Sequence, residues 1–202
     1  MGCAPCRVGL VIYCILQLIA FLFILVGTPI DQFRLSSQEM FSNTPCLTLW
    51  GWKQKCNSAT YDTRTNTLWS SCPNRKDRFR AAEALSIIAI GLSLIACILG
   101  FVMLCCCRCL RWLTLILNLL ATGVACAVVA LMIDAYYNNH DSPTVTDELA
   151  TNITCGALRE DAILKGEVGS GKAHFKFGAG FALFIVGWGL CFINIIFLMM
   201  PC

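Results

Sequence analysis

The sequence predicts an all-α membrane protein: a bundle of four transmembrane helices carrying a small, disulfide-braced extracellular domain that contains β-structure. Three observations predict it. Four long apolar runs span Val8–Ile30, Ala84–Cys107, Trp112–Ile133 and Phe177–Met200. Only 13% of the 202 residues are charged, against about 25% in an ordinary soluble domain. Four cysteines, Cys46, Cys56, Cys72 and Cys155, fall in the segments that connect the runs.

Each run holds about 20 residues or more, enough to cross a hydrocarbon core of about 30 Å as a helix. Lipid offers no partner to backbone N–H and C=O, so each should be helical throughout. The first apolar stretch is too long for a cleaved leader, and VGTPID offers no small-residue cleavage site. The expected order is a cytosolic segment 1–7, helix 8–30, an extracellular loop 31–82, helix 83–107, a cytosolic turn 108–111, helix 112–133, an extracellular loop 134–176, helix 177–200 and a cytosolic segment 201–202.

Orientation rests on opposing signals. The first long loop carries eight Lys/Arg, including RKDRFR at 75–80, which the positive-inside rule would place in the cytosol. Against this, the sequon Asn152-Ile153-Thr154 lies in the second long loop. The loop cysteines are even in number, as a disulfide framework needs. Cys105, Cys106, Cys107 and Cys109 crowd the opposite end, where they suit cytosolic S-palmitoylation, as do Cys3 and Cys6. The expected localisation is therefore the plasma membrane, with both long loops outside.

CLTLWGWKQKC at 46–56 does not have the C-x2–4-C spacing of a structural zinc site. In an oxidising compartment the default is a disulfide. LTLW alternates like a half-buried strand, Gly51 permits a turn, and WKQK can return. A Cys46–Cys56 bond would close that hairpin and leave Cys72 with Cys155. The rival pairing joins Cys56 to Cys72.

Other signals are weaker. GEVGSGKA at 166–173 begins like a phosphate-binding loop, but Ala173 replaces the metal-holding hydroxyl, so a plain loop is expected. Gln17, Asn118 and Asn194 should hydrogen-bond between helices. Glu83 and Asp134 mark helix ends, as interfacial charges or as a proton or cation path. Cys14, Cys97, Cys126 and Cys191 should fill small apolar spaces. Trp50 and Trp69 suit the ectodomain core. Trp52, Arg75, Lys76, Arg78 and Arg80 are candidate surface contacts, the basic ones with anionic lipid headgroups or acidic glycans.

The stretch 46–56 resembles the amastin signature at Cys46, Leu47, Thr48, Leu49, Trp50, Gly51, Lys53 and Cys56; Lys55 departs from the usual acidic or polar residue. The likeness continues in LQLIAFLFILVGTPIDQFR, CCRCLRW and KFGAGFALFIVGWGLCFINIIFLMMP, covering nearly the whole chain. Amastins are surface glycoproteins of trypanosomatid parasites, distantly similar to claudins. The resemblance implies a left-handed bundle with a small sheet on its outer face. It also implies a non-catalytic role in surface organisation and host–parasite contact. Expected partners are the lipid bilayer, host membrane or glycan components, other surface proteins and further copies of the chain. No enzyme chemistry, cofactor, metal or nucleic acid is expected. The alternative is an ion or proton channel or transporter subunit.

Overall fold

A computed structural model describes residues 4–35, 43–70, 72–105, 110–138, 155, 157–159 and 175–199. Four long helices, α1 (Ala4–Gly27), α3 (Pro73–Cys105), α4 (Arg111–Tyr137) and α5 (Ala179–Met199), are each long and apolar enough to cross a membrane. Their neighbours are α1 with α3 and α5, and α4 with α3 and α5, giving a four-helix ring.

The distribution of polarity suits lipid outside. Val11, Ile15, Ile98, Ile116 and Phe192 are exposed, whereas Gln17, Ser93, Asn118 and Asn194 are wholly buried. Water would reward the reverse arrangement; in lipid the polar groups must find partners inside the bundle.

The helix ends follow local chemistry. α1 stops at Gly27, just before Thr28-Pro29, because proline cannot continue the ladder. The Thr28 hydroxyl donates to the Ile24 carbonyl at 2.7 Å and closes the last turn. α3 begins at Pro73, ten residues before the expected boundary. Proline suits that first position, where its missing N–H is not needed. The α3 helix therefore takes in RKDRFR, and α4 runs on to Tyr137. At the other end, Phe177 belongs to a strand and not to the last helix.

Five short antiparallel strands form one sheet: β1 (Phe33–Leu35), β2 (Cys46–Leu47), β3 (Gly51–Lys53), β4 (Thr63–Arg64) and β5 (Phe175–Phe177). Their order is β4-β3-β2-β1-β5, so β1 at the end of the first span pairs with β5 at the start of the last. A one-turn helix, α2 (Thr65–Leu68), follows β4.

Aromatic packing joins sheet to bundle. The Phe33 ring lies 6.0 Å from Tyr136, 5.6 Å from Phe177 and 6.4 Å from Phe79. Trp69 packs on Phe79 at 5.7 Å, and Phe177 stacks on Phe181 at 4.3 Å. Such pairs contribute about 0.5–1.5 kcal/mol each beyond the area they bury. A smaller cluster of Tyr13, Cys14, Met103 and Leu198 fills the opposite end of the bundle.

Candidate functional site

The sheet-bearing end is where the chemistry-bearing residues gather. Cys46 bonds to Cys56, with the Cα atoms 5.5 Å apart, and Cys72 bonds to Cys155, with the Cα atoms 5.6 Å apart. The rival Cys56–Cys72 pairing is thereby excluded. The first bond closes the β2–β3 hairpin. The second ties the start of α3 to the second long connection.

The hairpin turns at Thr48, Leu49 and Trp50, not at Gly51 as the sequence suggests. The Thr48 hydroxyl donates to the Gly51 carbonyl at 2.9 Å and accepts from the Trp50 and Gly51 N–H groups at 3.2 Å. One side chain thus satisfies three backbone groups of the turn. Gly51 begins β3 with φ of +151°. A Cβ there would run into the carbonyl of Thr63 on β4 and come within 3.0 Å of Arg64 Cα. Glycine is required by both the backbone angle and the close approach of β4.

The rest of the signature is mostly interior. Leu47 and Leu49 are buried in the core. Lys53 is buried too; its ammonium donates to the Ser58 carbonyl at 2.8 Å and lies 4.5 Å from the centre of the Tyr61 ring. Burial pushes the Tyr61 phenol above its ordinary range; a hydrogen bond with Thr48 opposes this and the Glu83 charge adds to it. Lys55 is exposed, and the carboxylate nearby is Asp62, which accepts from the Gln54 N–H at 2.7 Å.

Two expected surface contacts are corrected. Trp52 is only 6% exposed and meets Phe175 edge-on at 6.4 Å. Arg75 is only 4% exposed. Its guanidinium lies 4.7 Å from the centre of the Trp69 ring and donates to the Cys155 carbonyl at 3.3 Å. The helical period explains Arg75: positions 75, 79, 82 and 86 form one buried face of α3, whereas Asp77 and Arg80 face out. Lys76 is half-buried, and Arg78 pairs with Asp134 across α3 and α4 at 2.9 Å. Asp134 also accepts from Asn138 at 2.7 Å, so both its oxygens are engaged. Trp50 is half-buried against the core, and Trp69 is fully inside it. Cys14, Cys97 and Cys191 are buried fillers, but Cys126 is exposed on the outer face of α4.

Cys6 lies in α1 and Cys105 ends α3. Cys3, Cys106, Cys107, Cys109, Asn152 and the segment 166–173 lie outside the described residues.

Sequence reasoning missed one group entirely. The Asp31 carboxylate accepts from Arg34 Nε at 2.9 Å and from the Ala179 N–H at 3.2 Å, while the Asp31 carbonyl accepts from the Gly180 N–H at 2.9 Å. Asp31 thus caps α5 from the end of α1. An acid just after Pro29 and a Gly-Ala-Gly at 178–180 were the available signals, but neither shows its partner in sequence.

With that interior spoken for, the exposed surface of this end comprises Gln54, Lys55, Asn57, Thr60, Asp62 and Arg64 on the β3–β4 side, with Arg80 on α3. It is polar, carries both signs of charge and is held by a braced sheet. Among the described residues no three His, Cys, Asp or Glu side chains group to hold a metal. The arrangement provides a rigid contact surface.

The chain matches the family model described as Amastin surface glycoprotein over residues 18–198. No curated protein and no solved structure matches it.

Proposed function

We infer that this chain, which belongs to the amastin family of surface glycoproteins, acts as a non-catalytic contact module on a parasite surface. The carrying observation is that both disulfides converge on the one end of the bundle that bears the sheet, with the signature residues turned inward as its frame. That division leaves the loop after β3, the β4 edge and Arg80 to meet a partner. Host membrane or glycan components, neighbouring surface proteins and other copies of the chain are the proposed partners.

In this reading the protein sits in the plasma membrane with the sheet outside and the α3–α4 turn in the cytosol. Disulfides persist in the oxidising compartment, which supports that orientation. Asn152 is the proposed glycan acceptor, and Cys3, Cys6, Cys105, Cys106, Cys107 and Cys109 are proposed palmitoylation sites on the inner side.

The test scores surface display and adhesion to host cells for Cys46→Ala and Cys56→Ala. The expected result is loss of display or of contact. Normal display together with normal adhesion in both variants would overturn the role given to the brace.

One observation favours the conduction alternative. Ser93 Oγ, Asn118 Oδ1 and Asn194 Oδ1 are buried inside the bundle without a hydrogen-bond partner. Against it, Asn194 donates to Gln17 across the bundle at 2.8 Å, and Asp134 is held by Arg78. Ion and proton flux through liposomes holding the disulfide-intact protein separates the readings, with Glu83→Gln/Asp134→Asn as control. Flux whose selectivity changes in the double variant would favour conduction; flux no greater than that of empty liposomes supports the contact module.

A further inference from the structure

At the end of the bundle away from the sheet, an open cleft of about 280 Å³ lies between the first turn of α4 and the last turn of α5, lined by Arg111, Trp112, Leu115, Leu198 and Met199. Its chemistry is divided. Leu115, Leu198 and Met199 make an apolar wall, and Arg111 brings a permanent positive charge. Trp112 is 74% exposed, the most exposed of the large apolar side chains.

Arg111 stands where a helix does not favour a cation, because the first turn of α4 already carries a partial positive charge. Part of the explanation is local: Arg111 Nε donates to the Leu198 carbonyl at 2.7 Å, satisfying a last-turn acceptor of α5. That bond also fixes the guanidinium at the cleft. Two positive features, the guanidinium and the N-terminal end of α4, thus coincide at one rim, directly above apolar side chains. A phosphate diester matches the first pair, since guanidinium recognises it with a planar fork. An acyl chain matches the wall. Tryptophan at a span end is the usual residue at headgroup level.

We propose that this cleft binds an acidic phospholipid, with its phosphate on Arg111, its glycerol region beside Trp112 and an acyl chain along Leu115, Leu198 and Met199. The site lies outside the ectodomain and is independent of the contact surface there. Only the assignment to the inner leaflet, where anionic lipid is concentrated, rests on the orientation proposed above.

The experiment uses the full chain with both disulfides intact in phosphatidylcholine nanodiscs. These contain a small fraction of brominated phosphatidylglycerol or, in parallel, brominated phosphatidylcholine. The readout is bromine quenching of the emission that Trp112→Phe removes. The acidic lipid should quench that component as though enriched roughly fivefold over the zwitterionic one, the factor for one basic residue near an anionic headgroup. Arg111→Gln should bring the two lipids to parity, and Arg111→Lys should retain part of the preference.

Equal quenching by both lipids in the unsubstituted protein would overturn the proposal without reference to any variant. A preference that persists in a folded Arg111→Gln protein would do so as well. Soluble inorganic phosphate, compared with sodium chloride at equal ionic strength, should leave the preference intact. Relief specific to phosphate would mean that the cleft takes a free anion, and would overturn the lipid assignment.

Discussion

The Asp31 carboxylate accepts a hydrogen bond at 3.2 Å from the backbone N–H of Ala179, 148 positions away, and thereby caps the last membrane span from the end of the first. The same oxygen pairs with Arg34 at 2.9 Å, with both side chains almost wholly buried. β1 follows at once and pairs with β5, which leads directly into α5. One acid thus sets the joint between bundle and sheet. Asp31→Ala removes the cap and leaves the Arg34 charge buried beside the loss, which should cost about 3–5 kcal/mol. Asp31→Asn keeps an oxygen for the cap and should fall between. Thermal unfolding of the purified protein in detergent checks the order.

The two disulfides should differ in worth. On the chain-entropy account, the bond closing a separation of 83 residues, Cys72–Cys155, contributes about 4–5 kcal/mol. The bond closing 10 residues, Cys46–Cys56, contributes about 2–3 kcal/mol. Paired alanine substitutions at Cys72/Cys155 should therefore destabilise more than those at Cys46/Cys56. Mapping of disulfide-linked peptides under non-reducing conditions should recover these pairs and no Cys56–Cys72 link.

Gly51→Ala should act on the sheet and spare the spans. The new methyl meets the Thr63 carbonyl, and the backbone is held at φ of +151°, a combination that costs about 1–3 kcal/mol or more. Hydrogen exchange should show faster opening at Trp52 and Asp62, whose backbones bond at 3.1 Å, with the four helices unchanged.

Gln17 and Asn194 make a buried cross-bundle bond at 2.8 Å. Gln17→Leu or Asn194→Leu alone leaves an amide unpaired in an apolar interior, at a cost of about 1–3 kcal/mol. The double substitution should recover part of that loss. The coupling energy from the cycle, read from unfolding in detergent, should be near ~0.6 kcal/mol.

What could be read from the chain tracks how local each signal is. The four spans come from unbroken apolar runs, which no neighbour can disguise. The even cysteine count and the spacing of Cys46 and Cys56 carried the hairpin brace. Trp52 was misplaced because the turn falls at 48–50, and a small shift in a hairpin changes which side chains face in. Arg75 was misplaced because RKDRFR reads as a uniform basic cluster until the helix start at Pro73 sets its faces. The β1–β5 pairing and the Asp31 cap join positions more than 140 apart, and nothing in either segment names the other. The partnership of Arg78 with Asp134 is of the same kind.

The central claim is that the braced sheet presents a contact surface through its exposed polar rim. The most direct measurement is adhesion to host cells of proteoliposomes bearing the disulfide-intact chain, compared with a Lys55→Glu/Arg64→Glu/Arg80→Glu variant. These three side chains are exposed, so unfolding midpoint and disulfide pairing should be unchanged. The account predicts adhesion by the unsubstituted protein above that of empty liposomes, and its loss in the charge-reversed variant. Adhesion no different from that of empty liposomes, or adhesion undiminished by the three reversals, would contradict it.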